Sequence, residues 1–470
     1  MKTLNFLGMD YGASNGKGVI GCFDGNLITL NELNRFYNYP IILPKGLYWN
    51  IFSLYSELKK SIIAAWKRSI KIHYIGIDSW AQDFGIIDKQ GNLLGIPHNY
   101  RDIRHQEGFN KVINKYSEYE LFMKTGIVPN EVCTLFQLIS MKQYEKSILE
   151  NAFKMMFIPN LLTYFLTGEI SCDSSIASMS LMYNVSSHTW IQELTKEFNL
   201  PDILPEITLY SKTVGKIIDP ELRQICERDI PVINIAQHDT MSAFLTASAF
   251  EKEETVYISC GTWAMIGAPI EKPIKEKKAF QNGFSNEVGY DNQVYLTKNL
   301  TGLWIFQECI KEWEREGYSV NYDYLDSYAE KSKFSSFINP EDEIFIQPYN
   351  MSAKIINFCK ITEQNIPSSR EEIYICILRG LADRMSKAVE ELEQITGVGY
   401  NRIHIIGGGS KIGPLCKLIN EYTGKQVFAG PHEATVIGNI ISQAISSGEI
   451  GSIREAGEVI YRSFSVIHHI

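Results

Sequence analysis

The segment NIAQHDTMSA, residues 234–243, places Gln237, His238, Asp239 and Thr240 between two apolar runs. An apolar strand that stops in polar residues and continues as a helix puts those residues at the edge of a sheet. Open α/β sheets bind their ligands at that edge. The segment therefore predicts an α/β fold with Asp239 and its neighbours in a ligand site.

Strand-like runs and helical patterns alternate along the rest of the chain, which also favours an α/β fold. The clearest helix covers residues 367–397, where Ser368 and Glu371 fit a capping box and Gly397 ends the pattern. A strand, three glycines and a second helix follow it. Residues 49–69 predict another helix, whose packing stripe is Ile51, Leu54, Leu58, Ile62 and Trp66.

The composition narrows the range of functions. A chain of 470 residues with 45% hydrophobic residues predicts more than one domain, and we expect domains at 1–248 and 249–470. The net charge of −9 argues against a general nucleic-acid or anionic-membrane binder. The nine cysteines contain no CxxC pair, so we expect reduced thiols. With no evident leader or membrane span, we expect a cytoplasmic protein.

Two segments resemble each other as glycine-containing hairpins: LGMDYGASNGKGVIGCF (residues 7–23) and YISCGTWAMIGAPI (residues 257–270). Glycine and small hydroxyl residues at such a turn let backbone N–H groups surround a phosphate. The first segment lacks the glycine spacing of a P-loop. An ordinary hairpin is the alternative, and the repetition suggests an ancient duplication.

The stretch IIGGGSKIG, residues 405–413, is not a dinucleotide-binding fingerprint because Ile412 stands where the last glycine is required. Three glycines at the end of a strand still allow a flat ligand to approach the backbone closely. A tight structural turn explains them equally well.

Four aspartates, Asp10, Asp78, Asp83 and Asp239, lie in or beside predicted strand ends. Acids placed there hold a metal or accept a proton, although a single aspartate more often caps a helix or forms a turn. His238 alone is more often a hydrogen-bonded structural residue than a catalyst. Signatures of metalloproteases, α/β-hydrolases and protein kinases are missing from the sequence.

Taken together and in order, these pieces resemble the FGGY carbohydrate kinases, and within them the rhamnulokinase branch. The matching stretches are MDYGASNGKG, GIDSWAQDFGIIDKQGNLLG, NYRDIRHQEG, PNLLTYFLTGE, AQHDTMSA, SCGTWAMIG, NLTGLWIFQE and IIGGGSKIGPLCKLINEYTGKQVFAGPHEATVIGN. The last stretch is the most specific.

The resemblance implies two actin-like (ribonuclease-H-like) α/β domains with a catalytic cleft between them. It implies ATP and Mg²⁺ as cofactors, with Asp239 as the catalytic base and Asp10 holding the magnesium ion through water. The implied nucleotide-binding residues are Ala13, Ser14, Asn15, Gly16, Lys17, Thr262, Gln307 and Gly408. The implied sugar-binding residues are Ala81, His238, Asp239, Thr240 and Asn299.

The reaction implied is phosphorylation of the terminal hydroxyl of a ketose, L-rhamnulose to L-rhamnulose 1-phosphate. L-fuculose, L-xylulose and a catalytically degenerate sugar- or nucleotide-binding protein remain as alternatives. At its ordinary pKa of about 3.9, Asp239 would be ionised at neutral pH. We expect no nucleic-acid or membrane partner, and a homodimer stays open as an assembly.

The sequence departs from the family pattern at Gln82 and Gln237, which stand beside the expected sugar site. Either these side chains enter the pocket and select the sugar, or they face outward as surface residues.

Overall fold

A computed structural model of the chain describes residues 3–210, 212–226, 229–250 and 254–469. The chain forms two compact units. The first contains Met1–Phe250, Pro269–Leu296 and Thr435–Ser463, and the second contains Glu251–Ala268, Thr297–Ala434 and Phe464–Ile470. The domain boundary at 248/249 stays a prediction, and residues 251–253 beside it lie outside the described residues.

The first half of the chain alternates strands with helices. Its strands are β1 (Leu4–Tyr11), β2 (Asn15–Phe23), β3 (Ile28–Tyr37), β4 (Ile41–Leu43), β5 (Gly46–Tyr48), β6 (Tyr74–Ser79), β7 (Phe84–Ile87), β8 (Leu93–Leu94), β9 (Lys154–Phe157), β10 (Tyr183–Asn184), β11 (Thr189–Trp190), β12 (Thr213–Lys216) and β13 (Pro231–Ile233). Its helices are α1 (Ile51–Lys67), α2 (His105–Ile113), α3 (Glu118–Thr125), α4 (Thr134–Tyr144), α5 (Lys146–Asn151), α6 (Ile158–Thr167), α7 (Ser174–Ser178), α8 (Gln192–Glu197), α9 (Pro220–Ile225) and α10 (Asp239–Phe250).

The second half repeats this alternation. Its strands are β14 (Thr255–Cys260), β15 (Trp263–Ile270), β16 (Ser285–Val288), β17 (Val294–Thr301), β18 (Arg402–Ile406), β19 (Gln426–Ala429) and β20 (Ile467–His469). Its helices are α11 (Lys277–Gln281), α12 (Trp304–Arg315), α13 (Tyr322–Lys331), α14 (Met351–Ile361), α15 (Arg370–Thr396), α16 (Gly413–Thr423), α17 (Ala434–Ser446) and α18 (Ile453–Ser463).

The main sheet of the first unit has the strand order β12-β13-β6-β1-β2-β3. β1 pairs antiparallel with β2 and parallel with β6. Apolar side chains of α1 and α6 pack with those of β1 and β6 in one buried cluster. Elsewhere on the sheet, a Cβ at Gly76 would lie 2.5 Å from Asn439, and one at Gly21 would lie 2.6 Å from Ile440. These glycines therefore let α17 pack closely against the strands.

The helix predicted near residue 51 forms as α1, and its stripe is buried at Ile51, Leu54, Leu58 and Ile62. The prediction is wrong for Trp66, which is 54% exposed. The helix ends one residue later, and its last turn buries Ala65 instead.

The strands of the second unit include β17, β15, β14, β18, β19 and β20, which lie side by side in that order. β14 pairs antiparallel with β15 and parallel with β18. The long predicted helix is α15, and Gly397 ends it in the left-handed conformation, as predicted. Its N-cap is Ser369, whose side chain accepts from the N–H of Glu372, so the predicted pair Ser368 and Glu371 is wrong by one residue.

All nine cysteines are free thiols, and seven of them are buried. Within the described ranges, every helix is too short or too polar to cross a bilayer.

Candidate active site

Three charged side chains lie in one row across the first unit's sheet. In the register of β1, Asp10 is opposite Lys17 on β2 and opposite Asp78 on β6. Directly opposed residues in a sheet project from the same face. Lys17 Nζ lies 3.1 Å from Asp10 Oδ2. The sequence thus places a lysine and two carboxylates side by side at the end of the first hairpin.

Asp78 is fully buried. Its Oδ2 accepts a 2.5 Å hydrogen bond from Asn439 Nδ2, while no described residue bonds to its Oδ1. Gln443 fixes the Asn439 amide by donating from Nε2 to Asn439 Oδ1 at 2.7 Å. Burial, together with the nearby negative charges of Asp10 and Asp239, raises the pKa of Asp78 well above its usual value.

Asp239 is the first residue of α10, and its side chain is 25% exposed. Its Oδ1 accepts hydrogen bonds from the Thr240 N–H at 2.6 Å and from the Thr240 hydroxyl at 3.2 Å. Burial, aided by the charge of Asp10, raises the pKa of Asp239 to about 6. The expectation of an ordinary pKa is therefore wrong, although Asp239 is still mainly ionised at neutral pH.

His238 lies between two carboxylates. Its Nε2 is 3.6 Å from Asp239 Oδ1, and its Nδ1 is 3.4 Å from Oε2 of the buried Glu287. Its backbone N–H donates to Ser175 Oγ at 3.1 Å. Burial disfavours the charged ring, but Glu287 and Asp239 outweigh it and raise the pKa of His238.

The carboxylates of Asp10, Asp78 and Asp239 in the first unit act electrostatically on one another. The unsatisfied Oδ1 of Asp78 and the mutual repulsion of the three groups both favour positive charge there. Among the described residues, no group of three His, Cys, Asp or Glu side chains could hold a metal directly. An oxygen donor set of this kind fits Mg²⁺, which keeps several of its waters and binds through one or two carboxylates.

The first glycine turn, residues 12–16, is held by Asn38 on both of its sides. The Asn38 N–H donates to Ser14 O at 2.9 Å, and its Nδ2 donates to Gly12 O at 3.1 Å. Ser14 and Asn15 are exposed at the tip, and Ala13 is half-buried. At Gly16, a Cβ would lie 2.5 Å from the Phe36 ring, so the turn requires glycine there.

The segment after β6 is buried rather than open. Ala81 is 9% exposed, and Gln82 adopts a φ of 82° while its Oε1 accepts from the Thr134 N–H. Asp83 accepts hydrogen bonds from the Trp49 and Trp80 indoles at 2.6 and 2.9 Å. Burial raises the pKa of Asp83 to about 6. Its contacts are those of a residue that positions two tryptophans.

Gln237 is also buried, and its Oε1 accepts a 2.7 Å hydrogen bond from Asn160 Nδ2. Its carbonyl accepts from the Ser79 N–H at 2.9 Å, which ties the Asp239 segment to β6. The alternative that Gln82 and Gln237 are surface residues is therefore wrong.

In the second unit, the turn after β14 brings two expected nucleotide residues together. The Thr262 hydroxyl donates to Gln307 Oε1 at 3.0 Å. The Leu303 N–H donates to Gly261 O at 2.7 Å, which joins this turn to the start of α12. A Cβ at Gly302 would lie 2.5 Å from Gly261 O, so glycine is required for this approach. Asn299 is exposed near the end of β17.

The three glycines after β18 differ in their surroundings. Gly407 has a φ of 77°, and a Cβ at Gly409 would lie 2.5 Å from Cys260 Sγ, so these two positions are structural. A Cβ at Gly408 would meet nothing closer than 3.8 Å. Of the three glycines, Gly408 therefore has the most open space beside it.

Sequence reasoning missed Glu287, Asn38 and Asn439 as residues that support this site. Asn439 lies in the segment AGPHEATVIGN, residues 429–439. This segment belongs to the most specific part of the family resemblance, but the resemblance assigned no role to Asn439. In the same stretch, a Cβ at Gly438 would lie 1.8 Å from Ser242 O, so this glycine lets α17 pack against α10. The motif therefore supports both Asp78 and the helix that begins with Asp239.

Two family models match the chain. The N-terminal domain of the FGGY family of carbohydrate kinases matches residues 5–246, and the C-terminal domain of that family matches residues 256–447. A rhamnulokinase of Bacteroides thetaiotaomicron is 33% identical, covering 98% of this chain and 94% of its own. A rhamnulokinase of Halalkalibacterium halodurans is also 33% identical, covering 99% of this chain and 98% of its own.

Solved structures share the fold. A ligand-bound xylulose kinase from Lactobacillus acidophilus matches with a TM-score of 0.79 and 16% identity, over 98% of this chain and 93% of its own. Plasmodium falciparum glycerol kinase with ADP matches with a TM-score of 0.81 and 18% identity, over 99% of this chain and 94% of its own. These matches confirm the predicted two-domain α/β kinase fold.

Proposed function

The chain belongs to the FGGY family of carbohydrate kinases, and on this premise we propose that it transfers the γ-phosphoryl group of ATP to O1 of L-rhamnulose. The products are L-rhamnulose 1-phosphate and ADP. Rhamnulokinases that align over nearly the whole chain support the choice of ketose. The structural observation that carries the proposal is Asp239, a largely ionised carboxylate at the start of α10 with Asp10 close by. We place the reaction in the cytoplasm.

Asp239 acts as the general base. It accepts a hydrogen bond from the O1 hydroxyl and takes the proton as O1 bonds to the γ-phosphorus. The bond from that phosphorus to the β–γ bridging oxygen breaks, and its electron pair leaves with ADP. The Thr240 N–H and hydroxyl bind Asp239 Oδ1 and orient the carboxylate.

The remaining expected residues position the two substrates. His238, Thr240, Ala81 and Asn299 contact the sugar. In the first unit, Ala13 to Gly16 present backbone groups to phosphate, and Lys17 supplies positive charge. In the second unit, Thr262 and Gln307 bind the nucleotide, and Gly408 leaves room for it.

Asp10 would hold Mg²⁺ through water, with the unsatisfied Oδ1 of Asp78 beside it. When bound, the ion neutralises charge on the phosphate oxygens.

The direct test is a coupled ADP-release assay with a panel of L-rhamnulose, L-fuculose, L-xylulose and glycerol, using Asp239→Asn as the blank. We expect L-rhamnulose to give the highest kcat/KM. A higher value for L-fuculose or L-xylulose would reassign the sugar, and glycerol as best substrate would overturn the ketose assignment. Sugar binding without ADP release would identify a degenerate kinase and overturn the proposal.

A further inference from the structure

Asn38 is a buried amide that follows β3 and lies beside the first glycine turn. It is 4% exposed, whereas its neighbours Tyr37 and Tyr39 are 77% and 68% exposed. Successive side chains of an extended segment point to opposite faces, so the two tyrosines face solvent together and Asn38 faces the protein. The tyrosine rings stack with their centroids 5.5 Å apart, which favours this alternation.

Both kinds of donor in Asn38 reach the turn. Its N–H donates to Ser14 O at 2.9 Å, and its Nδ2 donates to Gly12 O at 3.1 Å. The first bond continues the pairing of β2 with β3, in which Asn15 is opposite Tyr37, so any residue with a backbone N–H could make it. The second bond needs a donor on the side chain, and it is the bond that asparagine adds.

The glycines explain why this turn benefits from support by another strand. A Cβ at Gly12 would lie 2.8 Å from Asn15 O, and one at Gly16 would lie 2.5 Å from the Phe36 ring, so glycine is required at both positions. Glycine also has the greatest backbone freedom, and ordering it costs the most conformational entropy. Two hydrogen bonds from one buried residue fix the turn before a ligand arrives, which lowers the cost of binding.

The same two bonds determine which backbone groups remain for a ligand. Carbonyl oxygens repel a phosphate, whereas N–H groups attract it. Both bonds from Asn38 end on carbonyl oxygens of the turn. The carbonyl of Tyr11, just before the turn, accepts from the Trp80 N–H at 3.1 Å. Three carbonyl oxygens at this turn are thus bonded to donors of the protein itself.

We propose that Asn38 is a positioning residue for ATP, which holds the carbonyl oxygens of Gly12 and Ser14 so that the N–H groups of the first glycine turn bind phosphate. This inference rests on the proposed function, in which residues 13–16 present backbone groups to the phosphates of ATP. Asn38 touches no substrate in this account and acts only through the turn. Its loss should therefore weaken ATP binding and leave sugar binding unchanged.

The test compares Asn38→Ala with Asn38→Asp in the full chain. Alanine removes the bond from Nδ2 and keeps the N–H bond to Ser14. Aspartate keeps the shape, but it sets a carboxylate oxygen against Gly12 O and adds negative charge beside the phosphate site.

The first readout is the coupled ADP-release assay. We expect the KM for ATP to rise roughly two- to twelvefold in Asn38→Ala, the range for one hydrogen bond. In Asn38→Asp it should rise further, because an acceptor then faces an acceptor. The values of kcat and of the KM for L-rhamnulose should stay close to wild type, since a uniform loss of ATP binding raises only the KM for ATP.

The second readout needs no turnover. Titration calorimetry with a non-hydrolysable ATP analogue should rank the affinities as wild type, then Asn38→Ala, then Asn38→Asp, while the affinity for L-rhamnulose stays equal. Asn31→Asp is the matched control, because it makes the same substitution at an exposed position of β3, where Asn31 Oδ1 accepts from Arg68. It should behave as wild type in both readouts. If Asn38→Asp does not fold, Asn38→Ala provides the same test.

Wild-type affinity for the ATP analogue in the Asn38 variants would overturn the inference. An equal loss of affinity for the analogue and for the sugar would also overturn it, because a merely structural role predicts that result. Failure of the proposed function looks different: the wild type binds the analogue but phosphorylates no sugar, and the ranking of the variants still decides the role of Asn38. A wild type that does not bind the analogue would overturn both.

Discussion

The two sheets of this protein share one strand arrangement but carry different residues at their strand ends. In the first unit, the hairpin of β1 and β2 is joined in parallel by β6 and then β13. In the second unit, the hairpin of β14 and β15 is joined in parallel by β18 and then β19. This repeated order agrees with the ancient duplication that the two similar hairpin sequences suggest.

The strand ends differ in charge. The first sheet carries Lys17, Asp10 and Asp78 in one row. At the hairpin end of the second sheet, Cys260 is paired with Ala264, and Gly407 follows β18. Burial raises the pKa of Cys260 to about 12, so this thiol is neutral.

The comparison indicates that the two units, which share one strand arrangement, have different tasks. Carboxylates and a lysine equip the first unit to handle charge and a proton. Glycines and small residues equip the second unit to let a ligand approach the backbone. Variants of the first unit should therefore change kcat, and variants of the second unit should change nucleotide affinity.

Asp239→Asn should have the largest effect. A positioned general base typically contributes about a hundred- to ten-thousand-fold, so kcat should fall by that factor while asparagine preserves the shape. Steady-state ADP release measures it. Retention of more than about a tenth of wild-type kcat would remove Asp239 from the role of base.

Gly408→Ala should weaken ATP binding with little effect on the sugar. The new methyl group fits the unbound protein but occupies the space assigned to the nucleotide. If the crowding costs about 1–3 kcal/mol, as overpacking does, the KM for ATP should rise roughly 5- to 150-fold. Gly413→Ala is the matched control, since a Cβ there would meet nothing within 4 Å. Equal changes in both variants would argue against nucleotide contact at Gly408.

The pH dependence of kcat should show an acidic limb near pH 6. The pKa of Asp239 is raised to about 6 by burial, so the base form is lost as pH falls through that value. Below it, kcat should drop about tenfold per pH unit at saturating substrates. A limb near the ordinary aspartate pKa of about 4 would mean that the carboxylate is solvated in the working enzyme.

Thr262→Val should have the smallest effect. It removes the hydrogen bond to Gln307, a contribution of about 0.5–1.5 kcal/mol. We expect the KM for ATP to rise roughly two- to twelvefold, more than the KM for the sugar, while Thr262→Ser retains wild-type values. A larger change in the KM for the sugar than in the KM for ATP would argue against nucleotide binding by this turn.

The order and type of the main elements could be predicted because apolar periodicity and glycine turns are local signals. The exact residue that caps a helix was harder to predict. Ser368-Ser369 and Glu371-Glu372 fit a capping box in more than one register. The structure caps α15 with Ser369, and Glu372 also accepts from the Ser368 N–H and hydroxyl.

The candidate site was predictable where its residues lie in one motif, as for His238, Asp239 and Thr240. It was not predictable where a contact joins distant segments. No pattern within FSNEVG, residues 284–289, predicts that Glu287 lies beside His238. The burial of Gln82 and Gln237 likewise depends on their partners Thr134 and Asn160, which come from other helices.

The most direct test of the division of tasks is a calorimetric titration of the full chain with L-rhamnulose and, separately, with a non-hydrolysable ATP analogue. We predict that Asp239→Asn binds both ligands nearly as well as wild type, although its kcat is strongly reduced. Gly408→Ala should bind the sugar normally and the nucleotide weakly. Loss of sugar binding in Gly408→Ala as large as its loss of nucleotide binding would contradict the account.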